Sequence, residues 1–299
     1  MPDGAPALAL AKLMYEDEKD DGVTYRVVKS DVIASKVTYT DMQKNADLCI
    51  MPITAAAKLL GKGDRYVMLG AVTHGNLYVI SKEGTLLSNE NIAMLVGKKV
   101  GVLQMNNVPG LTFKAVLNKY GVAYQELTNE STMSEDKVNL IAITGADAVG
   151  TVDADYFMIA EPAASKQAEK GYSIVGDLQT LYGENGYTQA VLVAKKGLVE
   201  KKRVWVESFI QDVAEAASWL SVATGTEIVS TVTAHLEDKN MVSDLKAPLL
   251  TLDVLSRCGV RYSSAKECKE KTNLFLQALM TIAPPNAIVM PNAEFYWDK

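Results

Sequence analysis

The chain has 299 residues, of which 48% are hydrophobic and 22% are charged, and these values exclude an intrinsically disordered protein. Asp and Glu outnumber Lys and Arg by 36 to 30, and the resulting net charge of −6 argues against nucleic acid as a partner. The sequence contains no apolar run long enough to form a membrane-spanning helix.

The first part of the chain alternates short apolar runs with helical patterns. Helices are predicted over residues 5–15 and 54–60, with Thr54 as the N-cap of the second helix, because its hydroxyl can accept a hydrogen bond from the first turn. Strands are predicted over residues 25–28, 47–51, 66–72 and 77–81. Residues 82–97 are polar and bounded by glycine, so we interpret them as a crossing between two lobes.

The pattern then starts again, and the end of the chain is helical. Strands are predicted over 99–103, 124–127, 148–152, 156–159 and 172–175, and helices over 111–120, 137–143 and 162–170. Residues 188–194 are apolar and rich in β-formers, which indicates a return crossing. Four further helices are predicted over 200–222, 227–236, 249–258 and 265–283.

This order of elements predicts an α/β protein with mostly parallel sheets. Two strand–loop–helix halves joined by two crossings predict two lobes around a cleft. Lobe 1 is expected to comprise residues 1–81 and 190–299, and lobe 2 residues 82–189.

Motifs of common catalytic and metal sites are missing from the sequence, including G-x-S-x-G, H-E-x-x-H and the phosphate-binding loop. Its histidines are His74 and His235, so we expect no enzyme activity, no metal site and no cofactor. A Ser-His-Asp triad that uses His74 stays open, because triad members need not be close in sequence. Cys49 lies in a buried-strand pattern, whereas Cys258 and Cys268 are either free or joined by a disulfide.

Four predicted loops follow strands or open helices in a way that suits ligand binding. They comprise residues 2–6, 52–54, 104–110 and 160–163. Ligands of open α/β sheets bind beyond the carboxyl ends of the strands, and helix N-termini there present free amides. The loops therefore predict a binding site, although ordinary strand–helix turns have the same composition.

Several stretches resemble the solute-binding proteins of ABC importers, in the type II branch that binds nitrate, sulfonates, taurine and thiamine-type pyrimidines. The resemblance rests on Asp3-Gly4-Ala5-Pro6-Ala7, residues 46–59, residues 95–102, Ala160-Glu161-Pro162-Ala163 and the tail that contains Ala283-Pro284-Pro285 and Phe295-Tyr296-Trp297. It extends over essentially the whole chain. It implies a two-lobe periplasmic-binding-protein fold of type II, with two hinge crossings and a helical C-terminal region packed on lobe 1.

The resemblance also implies which residues contact a ligand. By position, these are Asp3, Gly4, Ala5, Thr54, Thr73 and His74 in lobe 1, Gln104, Asn106, Asn107, Gly110 and Glu161 in lobe 2, and Tyr187 near the return crossing. We expect replacement of Glu161 by alanine to weaken ligand binding and to change the unliganded melting temperature little.

The remaining expectations concern the ligand and the cellular context. The ligand is expected to be a heterocycle such as a thiamine-type pyrimidine, or a sulfonate-type anion, and an enzyme of the thiamine-pyrimidine or menaquinone pathway type is the alternative reading. The expected partner is an ABC permease, and the protein is expected to be a monomer. The resemblance implies a place outside the cytoplasm, either in the periplasm or lipid-anchored at the cell surface. It also implies an export signal and a central strand before Asp3, both outside the given sequence.

Overall fold

The computed structural model describes residues 1–17, 22–183 and 186–297, which fall into two compact units. The first unit comprises Met1–His74, Thr188–Leu276 and Ile288–Lys299, and the second comprises Gly75–Tyr187 and Gln277–Ala287. The sequence-based boundary at residue 81 differs from this division, because the strand Leu77–Ser81 pairs with strands of the second unit. The segment Gln277–Ala287, which was expected in lobe 1, also belongs to the second unit.

Strands and helices alternate along most of the chain. The strands are β1 (Leu48–Pro52), β2 (Tyr66–Thr73), β3 (Leu77–Ser81), β4 (Lys99–Leu103), β5 (Tyr124–Glu126), β6 (Val138–Ile143), β7 (Tyr156–Ala160), β8 (Ser173–Asp177), β9 (Ala190–Lys195) and β10 (Val260–Ser264). The helices are α1 (Ala5–Leu8), α2 (Ala11–Tyr15), α3 (Ser35–Thr38), α4 (Ile53–Leu60), α5 (Val108–Lys119), α6 (Ala163–Lys166), α7 (Leu178–Tyr182), α8 (Lys196–Lys201), α9 (Arg203–Ala214), α10 (Ala216–Leu220), α11 (Gly225–Ala234), α12 (Leu252–Arg257) and α13 (Ala265–Met280). Within the described ranges, no helix is both long and apolar enough to span a bilayer.

The first unit contains a four-stranded sheet in the order β1-β9-β2-β10, and each of its pairs is antiparallel. The expectation of mostly parallel sheets is therefore wrong for this unit. The reason is β9, which returns from the second unit and inserts between β1 and β2 in the opposite direction. One apolar core joins this sheet to helices from both ends of the chain, through residues such as Leu8, Leu192 and Phe209.

The second unit contains a six-stranded sheet in the order β5-β6-β4-β7-β3-β8. The pairs among β5, β6, β4 and β7 are parallel, whereas β3 is antiparallel to β7 and β8. Because β4 and β7 are parallel neighbours, the segments that follow them begin at the same edge of the sheet. These segments start at Gln104 and Glu161, two of the predicted site residues.

Several predicted elements differ from the structure. Residues 138–143 form a strand and not a helix, because a short apolar run buried in a parallel sheet has no periodicity that separates the two. The predicted strand at 148–152 is a turn, and residues 25–28 form only isolated bridges. The predicted helices over 5–15 and 200–222 are each broken into shorter helices.

The N-cap prediction for Thr54 is wrong, because α4 begins one residue earlier, at Ile53. Pro52 occupies the cap position, and no side chain caps this helix. All three cysteines are free and buried, and Cys258 belongs to the apolar core of the first unit. The structure therefore contains no disulfide between Cys258 and Cys268.

Candidate functional site

In the first unit, the predicted residues Thr73 and His74 lie at the end of β2, beside the start of β9. The Thr73 carbonyl accepts a hydrogen bond from the Gln189 amide at 3.1 Å, and the Thr73 hydroxyl accepts one from the Ala190 amide at 3.1 Å. The Gln189 carbonyl in turn accepts a hydrogen bond from the amide of Ile53, the first residue of α4, at 3.0 Å. Gln189 thus connects the end of β2 with the start of α4, which carries Thr54.

His74 is a buried imidazole whose ring has an unused hydrogen-bonding position. Its backbone amide donates to the Gly259 carbonyl at 3.0 Å, which fixes it beside β10. Among the described residues, neither His74 Nε2 nor the side-chain oxygen of Gln189 has a hydrogen-bond partner, and both atoms are buried. Buried polar atoms without partners cost about 1–3 kcal/mol each, so they mark a place where a ligand or water can bind.

Burial lowers the pKa of His74 to about 4, because desolvation disfavours the charged imidazolium. The positive charges of Arg261 and Lys271 lower this pKa further, and a hydrogen bond with the Arg261 backbone opposes them. His74 is therefore neutral at neutral pH. A neutral imidazole keeps one ring nitrogen as an acceptor, so this group can receive a hydrogen bond from a ligand.

The predicted residues at the start of the chain are largely occupied by contacts within the first unit. The Asp3 carboxylate accepts hydrogen bonds from the Ser243 hydroxyl at 2.9 Å and the Asp244 amide at 2.7 Å. Gly4 adopts a φ of 84°, which suits glycine, and Ala5 is buried as the first residue of α1. α1 contacts β2 and β10, so these residues belong to the same part of the unit as His74. Their contact with a ligand stays a prediction.

In the second unit, residues 104–110 form a tight turn between β4 and α5. Gln104 adopts a φ of 47°, and its carbonyl accepts a hydrogen bond from the Asn107 amide at 2.8 Å. Asn107 occupies the N-cap position of α5 without a side-chain cap bond, and Asn106 and Asn107 are exposed. A side chain at Gly110 would place its Cβ 2.3 Å from the Met105 carbonyl oxygen. Gly110 therefore allows the backbone to close this turn, and it leaves polar side chains available to a ligand.

Glu161 lies directly after β7 and is buried, with 2% of its surface exposed. Its carboxylate accepts hydrogen bonds from the Ser165 amide at 2.9 Å and the Ser165 hydroxyl at 2.6 Å. Its backbone amide donates to the Asn76 carbonyl at 2.8 Å. Both carboxylate oxygens thus hold the chain at α6, which gives Glu161 a structural role that the sequence did not indicate.

We expect the substitution Glu161→Ala to lower the free energy of unfolding by about 1–3 kcal/mol, because it removes the buried acceptor of both Ser165 donors. This expectation replaces the sequence-based one, in which the substitution changes the unliganded melting temperature by only a few degrees. Urea denaturation of the two variants Glu161→Ala and Glu169→Ala measures the effect, since Glu169 is exposed. Equal stability of both variants would contradict the structural role.

Tyr187 is buried at the end of the second unit. Its hydroxyl donates to the Gln179 side-chain oxygen at 3.0 Å, and its ring meets Tyr182 edge-on at 5.5 Å between centroids. A Cβ at Gly75, where φ is 91°, would come within 2.8 Å of the Tyr187 ring. In this structure Tyr187 therefore packs against its own unit, and its contact with a ligand stays a prediction.

Sequence reasoning missed two residues next to the crossings, Gln189 and Asn76. The Asn76 amide nitrogen donates to the Glu161 carbonyl at 2.9 Å, which leaves its oxygen buried and without a partner among the described residues. Both residues lie where an apolar strand pattern begins or ends, and an amide at such a position is the signal that could have identified them.

The described residues offer no group of three or more His, Cys, Asp or Glu side chains that could hold a metal ion. A cavity of about 720 Å³ lies within the first unit, and none of the predicted site residues lines it.

No protein-family model and no curated protein matches the chain. Solved structures do match it over nearly its whole length. An ABC transporter protein from Parabacteroides distasonis is 19% identical with a TM-score of 0.72, and the match covers 100% of this chain and 97% of that one.

Two further solved structures resemble the chain at lower similarity. The periplasmic aliphatic sulphonate binding protein SsuA from Escherichia coli is 15% identical with a TM-score of 0.66, and the match covers 97% of this chain and 91% of that one. A DSZB variant in complex with biphenyl-2-sulfinic acid is 15% identical with a TM-score of 0.58, with coverage of 98% and 93%. The chain therefore has the two-lobe α/β fold of periplasmic binding proteins, as the resemblance in its sequence implied.

Proposed function

We propose that the protein is the solute-binding component of an ABC import system. In this proposal the protein binds one small molecule outside the cytoplasm and delivers it to a membrane permease, and it acts as a monomer. The fold supports this reading, because the similar structures include an ABC transporter protein and periplasmic sulphonate binding proteins.

The observation that carries the proposal is the pair of buried, unpartnered acceptors His74 Nε2 and the Gln189 oxygen in the first unit. They lie at the end of β2 and the start of β9, and Thr73 holds these two segments together. Most buried polar atoms of folded proteins have a hydrogen-bond partner, so two such atoms without one suit contact with a ligand or an ordered water. In the second unit, Gln104, Asn106 and Asn107 supply exposed polar groups at the edge of the sheet.

Two ligand classes follow from the groups at this place. His74 Nε2 and the Gln189 oxygen both accept hydrogen bonds, so they suit a ligand that carries N–H donors, such as an aminopyrimidine. The charges of Arg261 and Lys271 near His74 instead favour an organic anion such as a sulfonate. We favour the heterocycle, because a sulfonate offers no donor to these two acceptors.

An enzyme on the same fold is the alternative to a solute-binding protein. The two functions differ in the fate of the ligand. A binding protein returns its ligand unchanged, whereas an enzyme converts it.

A thermal-shift screen of the purified protein tests the proposal. The panel contains pyrimidines, thiamine, taurine, alkyl sulfonates, nitrate, amino acids and polyamines. A ligand at 100 times its dissociation constant adds about 2.7 kcal/mol to stability, which raises the melting temperature clearly. We expect one ligand class to bind and to be recovered unchanged by mass spectrometry. A converted ligand supports the enzyme, and the absence of any shift across the panel contradicts a site for these solutes.

A further inference from the structure

The chain passes from the first unit to the second at residues 74–75, and it first returns at residues 187–188. On the side of the second unit, residues 75–77 lead into β3, and we call them the entry segment. Residues 186–187 come after α7, and we call them the exit segment. The two segments are far apart in sequence, so only tertiary contacts can hold them together.

One side-chain oxygen connects the entry segment with the exit segment. The Leu77 amide donates to Oε1 of Gln179 at 2.9 Å, and the Tyr187 hydroxyl donates to the same oxygen at 3.0 Å. A backbone amide can only donate, so the atom that faces it is the oxygen of the Gln179 side chain and not its nitrogen. The two lone pairs of this oxygen thus receive one donor from each segment.

Hydrogen bonds at the other side of the amide hold Gln179 in this orientation. Its Nε2 donates to Oδ1 of Asp177 at 2.9 Å, and the same carboxylate oxygen accepts hydrogen bonds from the backbone amides of Gln179 at 2.8 Å and Thr180 at 3.1 Å. Asp177 is the last residue of β8 and the N-cap of α7. The position of the Gln179 oxygen is therefore set by the sheet of the second unit.

The helix that carries Gln179 is fixed at its far end as well. α7 has five residues, which are too few for a stable helix by themselves. At the end of α5, Nζ of Lys119 donates to the carbonyls of Leu181 at 3.1 Å and Tyr182 at 2.8 Å. The Tyr120 hydroxyl also donates to the Leu181 carbonyl, at 2.8 Å. Gln179 thus belongs to a helix that is held at both ends.

Gly75 is the point in the entry segment where the chain can turn. The His74 amide before it donates to the Gly259 carbonyl at 3.0 Å in the first unit. The Asn76 carbonyl after it accepts a hydrogen bond from the Glu161 amide at 2.8 Å in the second unit. Gly75 itself adopts a φ of 91°, which favours glycine. Backbone rotation in the entry segment is therefore concentrated at Gly75.

Gln179 and Tyr187 both lie next to this glycine. A Cβ at Gly75 would be 2.7 Å from Cγ of Gln179 and 2.8 Å from Cζ of Tyr187. Burial raises the pKa of the Tyr187 phenol well above its ordinary value, whereas hydrogen bonds with the backbone of Leu77 and Asn76 lower it. The exit segment therefore contacts the entry segment directly through Tyr187 and indirectly through Gln179.

We propose that Gln179 is a positioning residue that ties the entry segment to the exit segment and so confines hinge motion to Gly75 and Thr188. On the return, Gln179 holds Tyr187, the residue before Thr188. The residue after Thr188 is bound through its amide to the Thr73 carbonyl at 3.1 Å in the first unit. The proposal rests on the proposed function, because periplasmic binding proteins act by hinge closure around a ligand.

Amide hydrogen exchange of the full chain without ligand tests the tie in the variants Gln179→Leu and Thr180→Val. Leucine has a similar size and accepts no hydrogen bond, whereas Thr180→Val removes a hydroxyl of the same helix that donates to Asp177 at 3.1 Å. We expect exchange at Leu77 to become about fivefold faster or more in Gln179→Leu and to stay unchanged in Thr180→Val. Exchange at residues 100–102 of β4 is the internal control. Unchanged exchange at Leu77 in Gln179→Leu would overturn the tie.

Distances between two spin labels measure the hinge itself, again without ligand. The labels are attached at Lys58→Cys in the first unit and Glu130→Cys in the second, because both positions are exposed and the native cysteines are buried. Gln179→Leu removes the acceptor, and Tyr187→Phe removes the donor hydroxyl and keeps the ring. We expect a broader distance distribution in these two variants than in the parent and in Thr180→Val.

Equal widths in Gln179→Leu, Tyr187→Phe and the parent would overturn the proposal. If Gln179→Leu does not fold, Tyr187→Phe decides alone. The thermal-shift screen tests the solute-binding function separately. A solute found in that screen together with equal widths would refute the hinge role and leave the function standing, whereas broader distributions without any solute would support the hinge and contradict the function.

Discussion

Lowering the pH from about 7 to about 4 is expected to cost the protein about 3 kcal/mol of folding free energy through His74 alone. The pKa of His74 is about 4 in the folded protein, against an ordinary value of 6.5. In this interval the unfolded chain therefore binds a proton that the folded protein excludes. The stabilisation is complete above pH 6.5, and it is lost as the pH falls through 6.5 towards 4.

Urea denaturation at a series of pH values measures this loss in the parent protein and in the variants His74→Gln and His235→Gln. His235 is the matched control, since it is the only other histidine and its ring contacts Asp17 at 3.1 Å. The His74→Gln variant should lose less stability on acidification than the parent, by about 3 kcal/mol. The same pH dependence in the parent and in His74→Gln would show that His74 is not desolvated.

Replacing Gly110 by valine is expected to lower the free energy of unfolding by about 3 kcal/mol and to displace the turn at residues 104–107. The added Cβ would lie 2.3 Å from the Met105 carbonyl oxygen and 2.5 Å from the Met105 carbonyl carbon. These atoms are backbone, so the clash moves the turn and the start of α5 and is not relieved by a side-chain rotation. Guanidinium denaturation monitors the stability.

The control for Gly110→Val is Gly197→Val, in the exposed part of α8. A Cβ at Gly197 meets no atom within 4 Å, so this change should alter stability by less than about 1 kcal/mol. Similar losses in both variants would mean that the turn at Gly110 tolerates a side chain. A stable Gly110→Val protein with normal ligand binding would remove this turn from the site.

The sequence predicts most strands of this fold, because buried apolar runs such as residues 99–103 and 156–159 have clear ends. The sequence does not predict that the strands of the first sheet pair antiparallel. β9 comes from a distant part of the chain, and no local pattern shows in which direction it runs between β1 and β2. Residues 138–143 form a strand that the sequence analysis predicted as a helix. The two cannot be told apart from sequence here, because a buried strand and a short buried helix have the same apolar composition.

The sequence predicts which loops share an edge of the second sheet, but it does not predict what each side chain in those loops contacts. The loops after β4 and β7 begin at one sheet edge, as a parallel sheet requires. The sequence cannot show that the Asp3 carboxylate accepts a hydrogen bond from Ser243, or the Glu161 carboxylate one from Ser165, because these contacts depend on the folded structure. The position of Gln189 at the start of an apolar strand pattern could mark it as a candidate, but whether its oxygen and His74 Nε2 lack partners depends on tertiary packing.

Titration calorimetry of the ligand found in the screen, against the parent, His74→Leu and His235→Gln, tests the central claim most directly. The account predicts one ligand per protein in the parent and about tenfold weaker binding by His74→Leu, since that variant loses one hydrogen bond to the ligand. His235→Gln should bind as the parent does. Equal affinity of the parent and His74→Leu would contradict a binding site at the end of β2.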